Sequence, residues 1–481
     1  MAIFWRGAAP SVAERSRRRI TLHLVPLLFF LYILAYIDRS NISVASLGLA
    51  APPEQGGLGL SQELLGVASG LFFWGYWILE IPSTLSVERW GVRWVFVRIL
   101  VLWGLTAMAM GAIGTPAMSA VFGWWSHDPG VQLKAFRFLL GFFEGGFFPS
   151  VIVYLSYWFR TEDRAKAIAG FALAMPLSMA VGNWVSSWLI GAHWFGLAGW
   201  RWVFIVEGAL PVLAGAMTFF LLPNRPADAK WLSEEERKWL AEEHDREREQ
   251  KLLAHGTAAW QKHLLVVLLL TTVYFFQNIT IYGVGFFMPK IMGTWLPALP
   301  YTVRLWLGVA GKMPADLLRG RQDHAKALLA ALPYLVNVVA VLLNGRHSDR
   351  TRERTWHAAI PLAMLSVGVF LVSQLGSHPG LSVLVMIFLV GSCIFTHIPA
   401  FWPMPTMFLG ATAAASAIGF INMVGNLGGF VGPVIAGSSA DNDASSMALA
   451  LRNLSPWALV GAVILVSMDL FRRWKLRRRQ Q

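Results

Sequence analysis

Two pairs of acidic and arginine residues interrupt stretches of the chain that are otherwise apolar. Asp38 and Arg39 follow the apolar run 22–37, and Arg137 and Glu144 stand seven residues apart in another run. Seven residues are close to two turns of an α-helix, so these two side chains project from one face. Because charged groups are costly inside a membrane helix, they are usually kept for a function there.

The chemistry these residues suggest is the binding of an anion together with protons. A guanidinium presents a planar pair of donors that suits a carboxylate, and it stays charged at any relevant pH. A carboxyl group beside it can gain or lose a proton. We therefore expect Asp38, Arg39, Arg137 and Glu144 to face a water-filled cavity or each other. The alternative is a static ion-pair lock between helices.

The composition places these residues in an integral membrane protein. The 481-residue chain is 56% hydrophobic and only 14% charged, with a mean hydropathy of +0.53. Soluble domains carry about 25% charged residues. We predict an all-α membrane protein with twelve spans at residues 20–49, 61–86, 92–114, 132–158, 164–192, 200–222, 262–290, 323–346, 357–375, 380–407, 411–437 and 449–471.

The predicted spans form two groups of six. An N-terminal six-helix bundle occupies residues 1–222 and a C-terminal bundle residues 262–481. Between them, residues 223–261 carry charges of both signs at helical spacing, which predicts a solvated amphipathic helix on the cytoplasmic surface.

The excess of positive charge predicts the orientation. The net charge is +13, and basic residues cluster at 15–19 and 472–479. In a membrane protein such clusters favour the cytoplasmic side rather than nucleic acid, so both termini are expected there. The first 15 residues lack an apolar core, which argues against a cleaved signal peptide.

A short charge pattern recurs after about 260 residues, as an internal duplication predicts. In both halves an acid is followed at once by Arg, and a second Arg stands five residues after the acid: Glu88, Arg89 and Arg93, then Asp349, Arg350 and Arg354. We interpret the six as gating residues, ion pairs that form in one state and break in the other. The alternative is two ordinary positively charged loops.

These motifs resemble the major facilitator superfamily, and within it the anion:cation symporters of the phthalate, tartrate and hydroxyphenylacetate permease type. The resemblance rests on segments 36–41, 73–83, 137–149, 199–208 and 422–433. It implies that Arg39 and Arg137 bind the substrate carboxylate, that Asp38 and Glu144 couple protons, and that the protein is a monomer of the inner membrane. The chain departs from the pattern in the first gating loop and in residues 292–322, which are longer than usual and basic.

Other polar and aromatic residues of the predicted spans are candidate contacts of a substrate. We assign Tyr36, Tyr76, Trp402 and Asn426 to substrate binding, with core packing or helix–helix hydrogen bonds as the alternative. His397 is expected to be a core residue rather than a proton site.

Together these features predict a secondary active transporter that takes up an organic carboxylate with protons by alternating access. An uncoupled facilitator or anion exchanger is the nearest alternative. A membrane enzyme is disfavoured because the 11 His are scattered without metal-ligand spacing. A nutrient sensor would need a larger soluble tail. We expect no cofactor and no bound metal. No nucleotide-binding loop is evident, so the energy is expected from ion gradients.

Overall fold

The computed structural model describes residues 11–160, 163, 170, 173–253, 264–409, 411–440 and 444–478, and this part of the chain is almost entirely helical. Its N-terminal half contains the helices α1 Val12–Leu49, α2 Gln62–Trp90, α3 Val92–Met110, α4 Pro116–Phe122, α5 Pro129–Glu144, α6 Phe147–Ser156, α7 Ala174–Ile190, α8 Gly199–Leu221 and α9 Glu234–Leu253.

The C-terminal half contains α10 Leu264–Trp295, α11 Tyr301–Trp306, α12 Ala315–Thr351, α13 Thr355–Gln374, α14 Pro379–Leu384, α15 Gly391–Cys393, α16 Ile398–Phe401, α17 Met404–Phe408, α18 Ala411–Gly425, α19 Gly428–Ser439 and α20 Ala444–Arg478. A π-helix, Val385–Val390, joins α14 to α15. Short 3₁₀ helices occur in the connections, at Pro53–Gln55, Trp194–Gly196, Pro226–Asp228 and Leu296–Ala298.

Within the described residues, eleven helical segments are long and apolar enough to cross a membrane. The fifth predicted span, 164–192, lies partly outside the described residues, and its described part is the 17-residue helix α7. The eighth predicted span belongs to α12, which starts at Ala315, earlier than predicted, so the basic residues Arg319 and Arg321 belong to the first turns of that helix. Residues 292–322 are thus mostly helical.

The fourth and tenth spans are broken where the sequence weakens the helix. In the fourth span, α5 ends at Glu144 and α6 begins at Phe147, because Gly146 between them has φ +86°. In the tenth span, two Asn side chains of α12 bond to the interrupted backbone. Asn337 donates to the Gly391 carbonyl at 2.7 Å, and Asn344 donates to the Thr396 carbonyl at 2.7 Å. Carbonyl groups without a helical partner are thereby satisfied inside the protein.

The linker helix α9 packs against the start of α1. Arg15 pairs with Glu235 at 2.9 Å, and Arg19 pairs with Glu236 at 2.9 Å. The predicted helix of the linker therefore exists, and it lies beside the basic N-terminal cluster. We call this side of the molecule the linker end and the opposite side, where α1 finishes at Leu49, the far end.

The two bundles meet closely at the far end. The first part of α2 lies on α19, and a Cβ added at Gly66 would stand only 2.4 Å from the carbonyl oxygen of Pro433. Elsewhere at this end α7 packs on α12, where the His324 ring bonds to the Ser187 carbonyl at 2.8 Å. Contacts of this kind hold the two halves together on that side.

Candidate functional site

Arg39 and Glu144 form a buried ion pair between α1 and α5. The Arg39 Nε donates to Glu144 Oε1 at 2.6 Å, and a terminal guanidinium nitrogen lies 2.5 Å from the same oxygen. Three rings surround the cation: its central carbon is 4.9 Å from the ring centre of Tyr36, 5.4 Å from that of Phe72 and 4.8 Å from that of Tyr76. These contacts hold the guanidinium in one orientation.

Arg137 is the second buried cation, and it has unused hydrogen-bonding capacity. Only 2% of the residue is exposed, yet its Nε and one terminal nitrogen donate to no group among the described residues. Its guanidinium stands 5.2 Å from the ring centre of Phe72, the ring that also faces Arg39. A buried guanidinium with free donors is costly without an acceptor, so this position suits an anion.

Both cations border a cavity of about 560 Å³ between the bundles. Beyond Arg39 and Arg137, its walls carry the aromatic side chains of Tyr36, Phe72, Phe73, Tyr282, Phe286, Tyr334 and Phe395. Ser43 and Ser69 also line it, and the hydroxyl oxygen of each is buried without a partner in the part of the chain that the structure describes. The walls thus offer cationic donors, free hydroxyl groups and aromatic rings to a ligand.

A smaller cavity of about 290 Å³ adjoins the first on the linker side, and Arg39 and Tyr36 border both. Its other walls are Tyr32, Tyr76, Phe148, Met175, Tyr274, Trp402, Asn422 and Asn426. All six residues predicted to bind substrate therefore line one or both cavities. Asn426 also approaches Asn278, whose amide nitrogen lies 3.5 Å from its side-chain oxygen.

Asp38 lies away from both cavities, although it precedes Arg39 in the chain. Its carboxylate accepts hydrogen bonds from the Trp103 indole and, at 2.8 Å, from Asn41. Neighbouring residues on an α-helix point about 100° apart, so Arg39 faces the cavity while Asp38 faces α3. The expectation that all four charged residues share a cavity or contact one another does not hold for Asp38.

In the second predicted gating loop, two of the predicted gating residues form an ion pair with each other. Arg354 pairs with Asp349 at 2.7 Å, whereas Arg350 is exposed. In the first loop Arg89 is exposed, and the Glu88 side chain lies outside the described residues. Arg93 donates to the Leu222 carbonyl at 2.8 Å.

Glu80 and Glu207 are further buried carboxyl groups that the sequence analysis does not assign to the site. Glu80 of α2 accepts a hydrogen bond from Asn422 of α18 at 2.6 Å, and Glu207 of α8 accepts one from Ser186 at 2.5 Å. Both lie in segments that carry the family resemblance, 73–83 and 199–208. The signal that singled out Asp38, an acid inside an apolar run, was present at both positions.

Comparison with known proteins now identifies the scaffold. The family model described as Major Facilitator Superfamily matches residues 28–433. The chain belongs to the major facilitator superfamily. Known relatives and the helical fold are those of transporters, so this superfamily member is a multi-pass membrane transporter and not an enzyme.

Several relatives of this superfamily member cover nearly its whole length. A protein of Agrobacterium vitis with the name "Putative tartrate transporter" is 36% identical over 90% of this chain and 89% of its own. A "Quinolone resistance transporter" of Acinetobacter baumannii is 31% identical, with 93% of each chain covered. The inner membrane transport protein RhmT of Escherichia coli is 30% identical over 96% of each chain. The relative named for tartrate agrees with the anion:cation symporter branch suggested by the motifs.

Solved structures show the same fold. The inward open xylose transporter XylE of E. coli matches with a TM-score of 0.67 at 16% identity, covering 93% of this chain and 95% of its own. At such low identity the likeness concerns the fold alone. It confirms the all-α, two-bundle architecture expected from the sequence.

Proposed function

We propose that this protein takes up an organic carboxylate anion together with protons by alternating access. The observation that carries the proposal is Arg137, a buried guanidinium with free donors at the cavity between the bundles. Arg39 reaches the same cavity, and the relative just described and a second protein of Agrobacterium vitis are both named "Putative tartrate transporter"; tartrate is a dicarboxylate. Tyr36, Tyr76, Trp402 and Asn426 would contact the remainder of the substrate.

Charge explains how protons and anion would favour each other. With Asp38 and Glu144 ionised, the two acids cancel the two guanidinium charges, and an anion gains little. Protonation of Glu144 releases Arg39 from its ion pair and leaves the site with one more positive charge. The anion in turn favours the protonated acid, so each raises the affinity for the other.

The Asp38 position gives it a different part in this scheme. Its carboxylate is held by Trp103 and Asn41 on the side of α1 that faces α3. It would therefore influence anion binding in the cavity through its charge rather than by contact. We propose that Glu144 is the acid that releases its partner Arg39 directly to the substrate. Asp38 is proposed as a second proton site. The gating residues Glu88, Arg89, Arg93, Asp349, Arg350 and Arg354 would control access from the linker side.

The test is uptake into proteoliposomes under an imposed pH gradient, with tartrate as the first substrate and other small organic acids and a quinolone beside it. Glu144→Gln imitates the protonated acid permanently. It should keep substrate binding and exchange of labelled for unlabelled substrate, and lose accumulation driven by external acid. Asp38→Asn should behave similarly but less severely.

If both variants still concentrate substrate as the unchanged protein does, proton coupling through these acids is wrong. The protein would then be a facilitator or anion exchanger, or would take protons elsewhere. We further propose that it works as a monomer in the inner membrane, with both termini and the linker in the cytoplasm, and with boundaries of the two bundles at residues 222 and 262.

A further inference from the structure

The two bundles are joined by a side-chain hydrogen bond on the linker side of the cavities. The amide nitrogen of Asn422, on α18, donates to Glu80 Oε1, on α2, at 2.6 Å. Only 3% of Glu80 and 8% of Asn422 are exposed. A hydrogen bond to a carboxylate in such surroundings is stronger than one between neutral groups.

The position of this bond is set by the helices that carry it. Glu80 stands four residues after Tyr76, and α2 runs from the far end to the linker end, so Glu80 lies one turn closer to the linker end than this cavity residue. Likewise Asn422 lies one turn closer to that end than Asn426. The bond therefore crosses the route between the smaller cavity and the linker end.

Asn422 also belongs to the wall of the smaller cavity, together with Arg39. The residue that meets the opposite bundle is thus within the chamber that contains a substrate-binding cation. An opening of the two bundles on this side requires Glu80 and Asn422 to separate, because they sit on different bundles.

We propose that Glu80 and Asn422 form a latch that keeps the cavities closed toward the linker end and that breaks in each transport cycle. Glu80 is a positioning residue in this scheme: it acts on the distance between the bundles and touches no substrate. The latch assumes the alternating access proposed above, but it does not depend on which anion is carried or on proton coupling.

The experiment measures access to the smaller cavity in purified protein, without substrate. The reference protein carries Cys393→Ser and Met175→Cys, which places a single thiol in the cavity wall. The rate of its reaction with a maleimide reports how often the cavity opens. Glu80→Ala and Asn422→Ala should each raise this rate about tenfold or more, as expected for loss of a buried hydrogen bond to a charged group.

Two further variants make the outcome specific. The exchange Glu80→Asn with Asn422→Glu rebuilds the pair in the opposite sense and should return the rate toward the reference. His324→Ala removes a hydrogen bond between the bundles at the far end, and it should leave the rate nearly unchanged.

An unchanged rate in both alanine variants would overturn the latch. A rise of equal size in His324→Ala, or failure of the exchanged pair to slow the reaction, would also overturn it, because general loosening of the protein would then explain the result. If transport proves uncoupled from protons while the labelling follows this pattern, the latch stands and the coupling proposal fails.

Discussion

At the scale of single residues, the two arginines differ in how they are satisfied. Arg39 has a carboxylate partner and three rings around it, whereas two nitrogens of Arg137 find no acceptor within the described ranges. An anion entering the cavity therefore gains most from Arg137 as found, and gains from Arg39 only as Glu144 is displaced or protonated. Substitutions of the two arginines should therefore affect substrate binding differently, because Arg137 is available at once and Arg39 only after Glu144 releases it.

Arg137→Lys tests the role of the guanidinium geometry. Lysine keeps the positive charge but loses the planar pair of donors, so substrate affinity should fall at least about tenfold, on the order of 1.4 kcal/mol. Arg137→Ala should reduce it further. Binding is measured by calorimetry or thermal shift with the substrate found in the uptake screen. Unchanged affinity in both variants would remove Arg137 from the site.

The residue scale is also where sequence reasoning was most complete. The rule that charged groups inside membrane helices have functions located Arg39, Arg137 and Glu144, and these three do lie together. It could not tell that Asp38 faces Trp103, because the direction of a side chain depends on how α1 is rotated against α3. Nor could it pair Glu80 with Asn422, which stand 342 residues apart.

At the scale of helices, close backbone contact between α2 and α19 depends on residues without a side chain. At Gly66 an added Cβ would meet the Pro433 carbonyl oxygen at 2.4 Å, and at Gly70 it would meet the Phe430 ring at 2.7 Å. Real Cβ atoms do not approach backbone oxygen so closely, so the helices would have to separate.

Gly66→Ala should therefore weaken closure of the far end. We expect transport to slow at least about tenfold while a cysteine at Met179, in the wall of the larger cavity, reacts faster with maleimide. Gly419→Ala is the matched control, since it also adds one methyl to a helical glycine, and this methyl meets no described residue within 4 Å. Equal behaviour of the two variants would argue against a role of close packing at Gly66.

The start of α13 offers a pH-dependent test. Partial burial acts to raise the pKa of Glu353, but hydrogen bonds from the Trp356 amide at 2.8 Å and from the ring and amide of His357 outweigh it and lower the pKa. A carboxyl with a lowered pKa stabilises the folded state at neutral pH, and this contribution is lost as the pH falls through the lowered value, below 4.5.

Glu353→Ala should thus cost about 1 kcal/mol at pH 7, as loss of a helix cap does. The difference in unfolding midpoint from the unchanged protein should shrink as the pH is lowered below 4.5. Both are measured by thermal unfolding in detergent, with Glu242→Ala on the exposed face of α9 as control. A difference that is constant from pH 7 to pH 4 would contradict the charge-dependent cap.

At the scale of the whole molecule, the hydrophobic pattern is sufficient to predict the helical fold. The reason is that the backbone groups of a membrane helix must form their hydrogen bonds within the helix. The pattern is insufficient at the breaks. The tenth span reads as one apolar run from 380 to 407, yet it contains a π-helix and several short helices. Those interruptions rely on Asn337 and Asn344 of another helix, and no local pattern reveals such support.

The orientation remains a prediction, and labelling tests it. With Cys393 changed to Ser, single cysteines at Ser233 and Lys475 should react with an impermeant reagent only after the cells are opened, because the basic clusters favour the cytoplasmic side. Reaction of either site in intact cells would reverse or split the predicted topology.

The linker helix α9 is held to the N-terminal bundle by ion pairs, so it offers a fixed position from which distances between spin labels can be measured. Because Arg15 and Arg19 hold the start of α9 on α1, and Arg160 bonds to Glu243 further along, α9 should travel with the N-terminal bundle. A spin label at Glu242 should then give one narrow distance to a label at Arg89 in every state. Its distance to a label at Arg350, on the other bundle, should split into two populations whose ratio reports the conformational equilibrium directly.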